Sequence, residues 1–131
     1  MRLKTIQPDG WAPALGYANG MLANDGTLHI GGQIGWDADK RFVSPDFIPQ
    51  MEQALRNIVA IVEAAGGQAT DIARMTWFVK DKAAYLAQQR EVGQAYRRVM
   101  GKHFPAMSML VINDLIEDEA LIEIEATAHL R

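Results

Sequence analysis

No cysteine occurs in the 131 residues. That excludes disulfides, thiolate nucleophiles and cysteine-bound metal together. It also fits a reducing compartment, so a cytoplasmic location is expected. No run approaches the roughly 20 consecutive apolar residues that a membrane-spanning helix needs, so no membrane partner is expected. The opening MRLKTIQPDGWAP has no apolar stretch followed by a small-residue cleavage site, so no signal peptide is expected. Positive charge is not in excess: 13 Lys and Arg stand against 16 Asp and Glu, a formal net charge of −3. Nucleic-acid binders draw most of their affinity from neutralised phosphates, and this balance speaks against such a partner. The 3 histidines, His29, His103 and His129, have no short ligand spacing, and a metal site needs several convergent ligands. No metal and no cofactor is therefore expected. No serine sits in a GxSxG elbow, and no glycine-rich phosphate loop precedes a helix.

What is present suits one ordinary domain spanning residues 1–131. Apolar residues make up 49% and charged residues 22%, enough for a real core. Repeats, low-complexity tracts and interior linkers are absent from the sequence. Pro8, Gly10 and Pro13 mark the first dozen residues as an irregular lead-in. From Met21 to Gly35 the pattern is a hairpin. Asn24, Asp25 and Gly26 supply the turn, and Leu28 and Ile30 alternate with Thr27 and His29. Gly31 and Gly32 interrupt that strand and point to a bulge or a close backbone approach.

Ser44-Pro45-Asp46 has the form of a helix start, with Ser44 as cap and Pro45 in the first helical position. Phe47, Met51, Leu55, Ile58, Val59 and Val62 then share one face, and Gly66-Gly67 ends the helix. Ile72 to Lys80 is expected as a central strand. Asp81 can cap a second helix, with Tyr85, Leu86, Val92, Tyr96, Val99 and Met100 on its buried side and Gly101 as its stop. Arg90 and Arg97 lie on the flank of that stripe. Met107 to Ile112 is nearly all apolar and is expected to be buried on both faces. Leu121 to Ala128 alternates, with Ile122, Ile124, Ala126 and Ala128 on one face and Glu123, Glu125 and Thr127 on the other. The fold class is α+β, with two helices covering one face of a sheet. The uncovered face then calls for an oligomer.

Glu123 and Glu125 point the same way from a strand, as a carboxylate pair for acid–base work would, although spacing alone fits two solvent-facing residues better. The 7 methionines fit irregular core gaps, and Trp36, after a Gly-Gln-Ile-Gly turn, suits loop or contact packing.

Several segments together resemble the RidA/YjgF family, also described as translation inhibitors or L-PSP endoribonucleases. They are Gly16-Tyr17 with Asn19-Gly20, Leu28 to Ile34 (LHIGGQI), Gln50 to Gly66, Asp71-Ile72, Thr76 to Asp81 (TWFVKD), Phe104-Pro105-Ala106 and Ile122 to Ala128 (IEIEATA). They cover nearly the whole chain in order. The resemblance implies a chorismate-mutase-like fold and a homotrimer whose sheets form a central barrel, with ligand clefts between subunits. It also implies hydrolysis of small enamines and imines to ketoacids and ammonia. In such proteins an arginine binds the substrate carboxylate and a glutamate helps place water. Carried over by position, Tyr17 is the cleft tyrosine, Gly32 the glycine that approaches the ligand and Glu123 the water-positioning acid.

The departures are specific. Met107 stands where the family motif has its arginine, Gly31 replaces a small polar residue, Met109 replaces a frequent cysteine, and a cleft asparagine has no match. Losing a buried charge-assisted pair at Met107 would cost about 2–5 kcal/mol of carboxylate binding, roughly 30- to 4,000-fold. The leading expectation is a deaminase-type protein for a small metabolite, its preference unlike that of arginine-bearing members. A 2-aminomuconate deaminase-like activity is one version. A ligand-binding trimer without turnover is the alternative, and the endoribonuclease reading ranks last on charge.

Overall fold

The computed structural model describes residues 2–131. Its elements run β1 (Leu3–Ile6), β2 (Gly20–Ala23), β3 (Thr27–Gln33), α1 (Phe47–Ala64), a 3₁₀ turn (Ala69–Asp71), β4 (Ile72–Val79), α2 (Lys82–Ala87), α3 (Gln89–Met100), β5 (Ala106–Val111) and β6 (Ile122–His129). The strands form one six-stranded sheet in the order β1-β2-β3-β6-β4-β5. The pairing of β4 with β5 is parallel, as expected for strands joined by a helical crossover, and the rest is antiparallel. This is the expected α+β class, one mixed sheet with two main helices.

The helix-covered face of the sheet is dry. Leu28 and Ile30 of β3, Met75 and Trp77 of β4, and Ile122 and Ile124 of β6 pack under Met51, Leu55, Ile58 and Val62 of α1 and Val92 and Tyr96 of α3. The period-2 pattern of β6 and the 3.6-residue pattern of α1 fix these contacts directly. The opposite face carries His29, Arg74, Thr76, Phe78, Glu123, Glu125 and Thr127, and among the described residues no helix covers it.

Local chemistry explains the boundaries. Gly66 closes α1 at φ 93°, while Gly66 N–H donates to Glu63 O and Gly67 N–H to Val62 O. This is the paired hydrogen-bond pattern of a glycine-terminated helix. Asp81 Oδ1 accepts from Ala84 N–H at 3.0 Å and caps α2, as the sequence indicates.

Five expectations are corrected. Residues 3–6 form a short edge strand rather than an irregular lead-in. Helix α1 begins at Phe47 with Asp46 as its N-cap residue, because Ser44 Oγ accepts from Asp46 N–H in a local turn and leaves Pro45 outside the helix. The second helix is two, broken at Gln88 (φ −126°), whose side chain donates to Ala84 O and finishes α2. Leu86 is exposed, since α2 sits at the rim of the core. Strand β5 is an edge strand, so Met107, Leu110 and Val111 remain 40–53% accessible in the single chain. Among the described residues, no helix is long and apolar enough to cross a membrane.

Candidate ligand site

The glycine pair does form a bulge. Ile30 pairs with Ala126 and Gln33 with Ile124, so β3 spends one more residue than β6 across this interval. An amide chain fixes the irregular backbone. Gly31 N–H donates to Asn19 O at 2.8 Å, Gln33 Nε2 donates to Gly31 O and to Asn19 Oδ1, and Asn19 Nδ2 donates to Gln7 Oε1. Asn19 and Gln33 are both buried, so their polar groups are matched rather than left orphaned.

The bulge brings Gly32 against Glu123. A Cβ placed on Gly32 would lie 2.5 Å from the Glu123 carboxyl carbon and from Oε2. Only a residue without a side chain leaves the carboxylate where it is. Glu123 is half-buried and has no hydrogen-bond partner among the described residues. Burial pushes its carboxyl above the ordinary 4.5, and the nearby Glu125 charge pushes the same way. The arrangement therefore gives a confined acid with spare acceptor capacity beside an exposed backbone.

Tyr17 lies on the loop before β2 and is 50% exposed. Lys40 Nζ sits 5.6 Å from its ring centroid and 5.8 Å from that of Trp36, and donates to Pro13 O at 2.7 Å. Lys40, held at φ 61°, thus ties three loop residues together.

Met107 and Met109 lie elsewhere. Through the β4–β5 register they pair with Met75 and Trp77, which places them on the helix side of the sheet. With Phe104 and Tyr96, whose rings stack at 5.4 Å, they line a cavity of about 230 Å³ against α3. Within one chain the six residues singled out from the sequence thus fall into two groups and a singleton. Gly31, Gly32 and Glu123 meet at the β3–β6 bulge, Met107 and Met109 share the α3 cavity, and Tyr17 stands on its own loop. A shallow depression on the open sheet face, lined by His29, Arg74, Thr76, Glu125 and Thr127, belongs to neither group.

Sequence reasoning assigned no role to the supports. Asn19 and Gln33 are polar residues on the buried side of their segments, and that mismatch was the available signal. Gln50, fully buried, donates to Ser44 O and Glu119 O and accepts from Leu121 N–H, so it anchors the loop that leads into Glu123.

A six-stranded mixed sheet with helices on one side, an uncovered opposite face and a carboxylate lodged over a bulge between two central strands defines a class of small α+β proteins. The comparisons identify the class. The family model described as Endoribonuclease L-PSP matches residues 9–130, and this chain belongs to that family, the RidA/YjgF group. It is 38% identical over 130 residues to a 2-iminobutanoate/2-iminopropanoate deaminase of Salmonella typhimurium, covering 95% of this chain and 96% of that protein. It is 34% identical over 125 residues to a RutC family protein of Pasteurella multocida, with 95% and 96% covered. The crystal structure of the E. coli YjgF gene product superposes with a TM-score of 0.82 at 34% identity, covering 98% of this chain and 99% of that one.

Proposed function

We propose that this protein is a small-metabolite deaminase acting on an imine or enamine, working as a homotrimer with its sites in clefts between subunits. In this reading the Met107–Met109 cavity of one copy faces Tyr17, Gly31, Gly32 and Glu123 of the next. Water adds to the carbon of the protonated C=N while Glu123 takes one of its protons, giving a carbinolamine. Glu123 returns that proton to nitrogen, the C–N bond breaks to release ammonia, and the hydroxyl proton is lost to solvent as the C=O forms. The observation that carries the reading is the confined Glu123 carboxyl over Gly32. An acid raised toward neutrality, free of partners and beside accessible backbone, suits general-base work on water. The deaminase name of the Salmonella relative supports the reaction class. The apolar wall at Met107, where the family motif has its arginine, and Met109, where a cysteine is frequent, supports a preference differing from that of arginine-bearing members.

Two measurements test this. Light scattering is expected to give three times the 14.5 kDa chain mass. An amino-acid oxidase can generate imines in the cuvette, and their loss can be followed with semicarbazide. Across a panel of such imines, Glu123→Gln is expected to lower turnover by roughly 10²-fold or more. Unchanged turnover in the variant would remove the glutamate mechanism, and binding without any turnover in wild type would favour a ligand-binding trimer.

A further inference from the structure

The α3 cavity has a cation in its wall. Arg97 lines it together with Met107 and Met109. Its guanidinium lies against the helix at Gly93, where an added Cβ would sit 3.5 Å from Nη1. The missing side chain four residues back gives the group its seat, since positions i and i+4 share a helix face. Among the described residues no carboxylate lies within ion-pair distance of Arg97, and none lines the cavity. The adjacent Arg98 contrasts with it, being held 2.7 Å from Glu52. Arg90 does not reach the cavity.

A second observation points the same way. Trp77 forms part of this wall, is 1% exposed, and its indole N–H has no hydrogen-bond partner. Buried donors are nearly always paired. The cavity wall thus holds an unpaired cation in a lining that, Gln89 apart, is largely apolar and aromatic, and Trp77, whose buried indole N–H is unpartnered, contributes to the same wall. Its volume of about 230 Å³ falls below the roughly 300 Å³ at which sites for drug-sized ligands begin. The complement is a small ligand with a short apolar body and an anionic, hydrogen-bond-accepting end.

We propose that Arg97, reaching the cavity from helix α3, is the residue that selects carboxylate-bearing ligands in this protein. The inference deepens the cleft reading above and rests on it. It assigns the anchoring charge to a different wall from Met107, so the ligand's apolar part lies toward the two methionines. A carboxylate favours a guanidinium because two parallel N–H···O bonds can form. An exposed guanidinium is already charged and hydrated, so it remains available to an incoming anion.

The test is a binding titration of the full-length trimer, independent of turnover, with 2-oxobutyrate and with its neutral analogue 2-butanone. Wild type is expected to bind the acid at least tenfold more tightly than the ketone. Arg97→Gln is expected to weaken acid binding roughly 10- to 100-fold, the size of a hydrogen bond to a charged group, and to leave ketone binding unchanged. Arg97→Lys keeps part of the preference, and Arg90→Gln keeps all of it. Circular dichroism and light scattering establish that each variant is folded and trimeric. An acid preference that survives in Arg97→Gln, or a wild type with no preference for the acid, overturns the assignment. Glu123→Gln separates the two proposals. Lost turnover with acid preference intact supports both, whereas unchanged turnover with acid preference lost only in Arg97→Gln removes the glutamate mechanism and leaves the Arg97 assignment standing.

Discussion

At the β3–β6 bulge, Glu123 is placed by main chain and amide bonds. Gly32 leaves the only room for its carboxyl, and Asn19, Gln33 and Gln7 lock the backbone around it. At the α3 cavity, the walls are long side chains on an edge strand and a helix, namely Met107, Met109 and Arg97, with few polar constraints on any of them. In the first region an added atom at Gly32 displaces the carboxyl from its place, whereas the second can be re-lined one residue at a time. The difference separates two tasks. On the function proposed above, chemistry that needs a fixed geometry would sit where the backbone is over-determined, and ligand preference where single substitutions are cheap.

The sharpest way to break this comparison is Gly32→Ala. The new methyl would occupy the carboxyl's position, so the flexible Glu123 side chain has to move. Turnover is expected to fall about 10²-fold, as if the base were removed, while thermal stability changes little. Gly35→Ala is the contrasting variant, because its Cβ would meet the Cα and Cβ of Gln50 at 2.6 and 2.5 Å. Backbone and a buried anchor cannot yield as a carboxylate does, so a loss of about 1–3 kcal/mol in urea unfolding is expected. Equal effects of the two alanines on stability would mean that Glu123 is as rigidly packed as Gln50.

Electrostatics gives a second, smaller effect. Burial first, and Glu125 second, raise the Glu123 pKa above 4.5. A raised acid contributes stability that is fully present below 4.5 and is lost as pH rises through its folded value. Glu123→Gln removes that loss. Urea midpoints measured from pH 4 to 8 are therefore expected to favour the variant increasingly from about pH 4.5 upward and then level off. A gap that is flat with pH would mean that the carboxyl is as well solvated folded as unfolded. The smallest effect belongs to the other region. Met107→Leu, a volume-conserving swap at a partly exposed position, is expected to cost less than about 1.5 kcal/mol. A larger drop in stability would show the cavity wall to be as tightly packed as the Gly35–Gln50 contact.

Much of the fold was legible because periodicity reports burial within the chain. Helix α1, the β2–β3 hairpin, β4 and β6 all follow from it, as does the bulge at the paired glycines. The misses share a cause, which is that the deciding partner is remote or absent from the pattern. Residues 3–6 become a strand by pairing with β2, although Lys4 and Thr5 are exposed and prolines follow. Gln88 breaks a helix without glycine or proline. The apolar run of β5 records hydrophobicity, not which molecule covers it, and within one chain nothing covers its edge. Among the candidate site residues, Glu123, Gly31 and Gly32 do lie together at the bulge. That Met107 and Met109 lie on the other side of the sheet follows from the parallel register with β4, which no local pattern encodes. Arg90 and Arg97 were equally visible as cations beside an apolar stripe, and the seat of Arg97 on Gly93 emerges only from the helix surface.

The unpartnered indole of Trp77 has an optical consequence. A tryptophan enclosed in an apolar wall, with its N–H unbound, emits at the short-wavelength end of indole fluorescence, whereas Trp11 and Trp36, partly open to solvent in loops, emit further to the red. The chain thus carries its own spectrally distinct reporter in the cavity wall. A molecule that accepts a hydrogen bond from that nitrogen is expected to shift the blue component alone, so occupancy can be followed in unlabelled protein by the colour of its light.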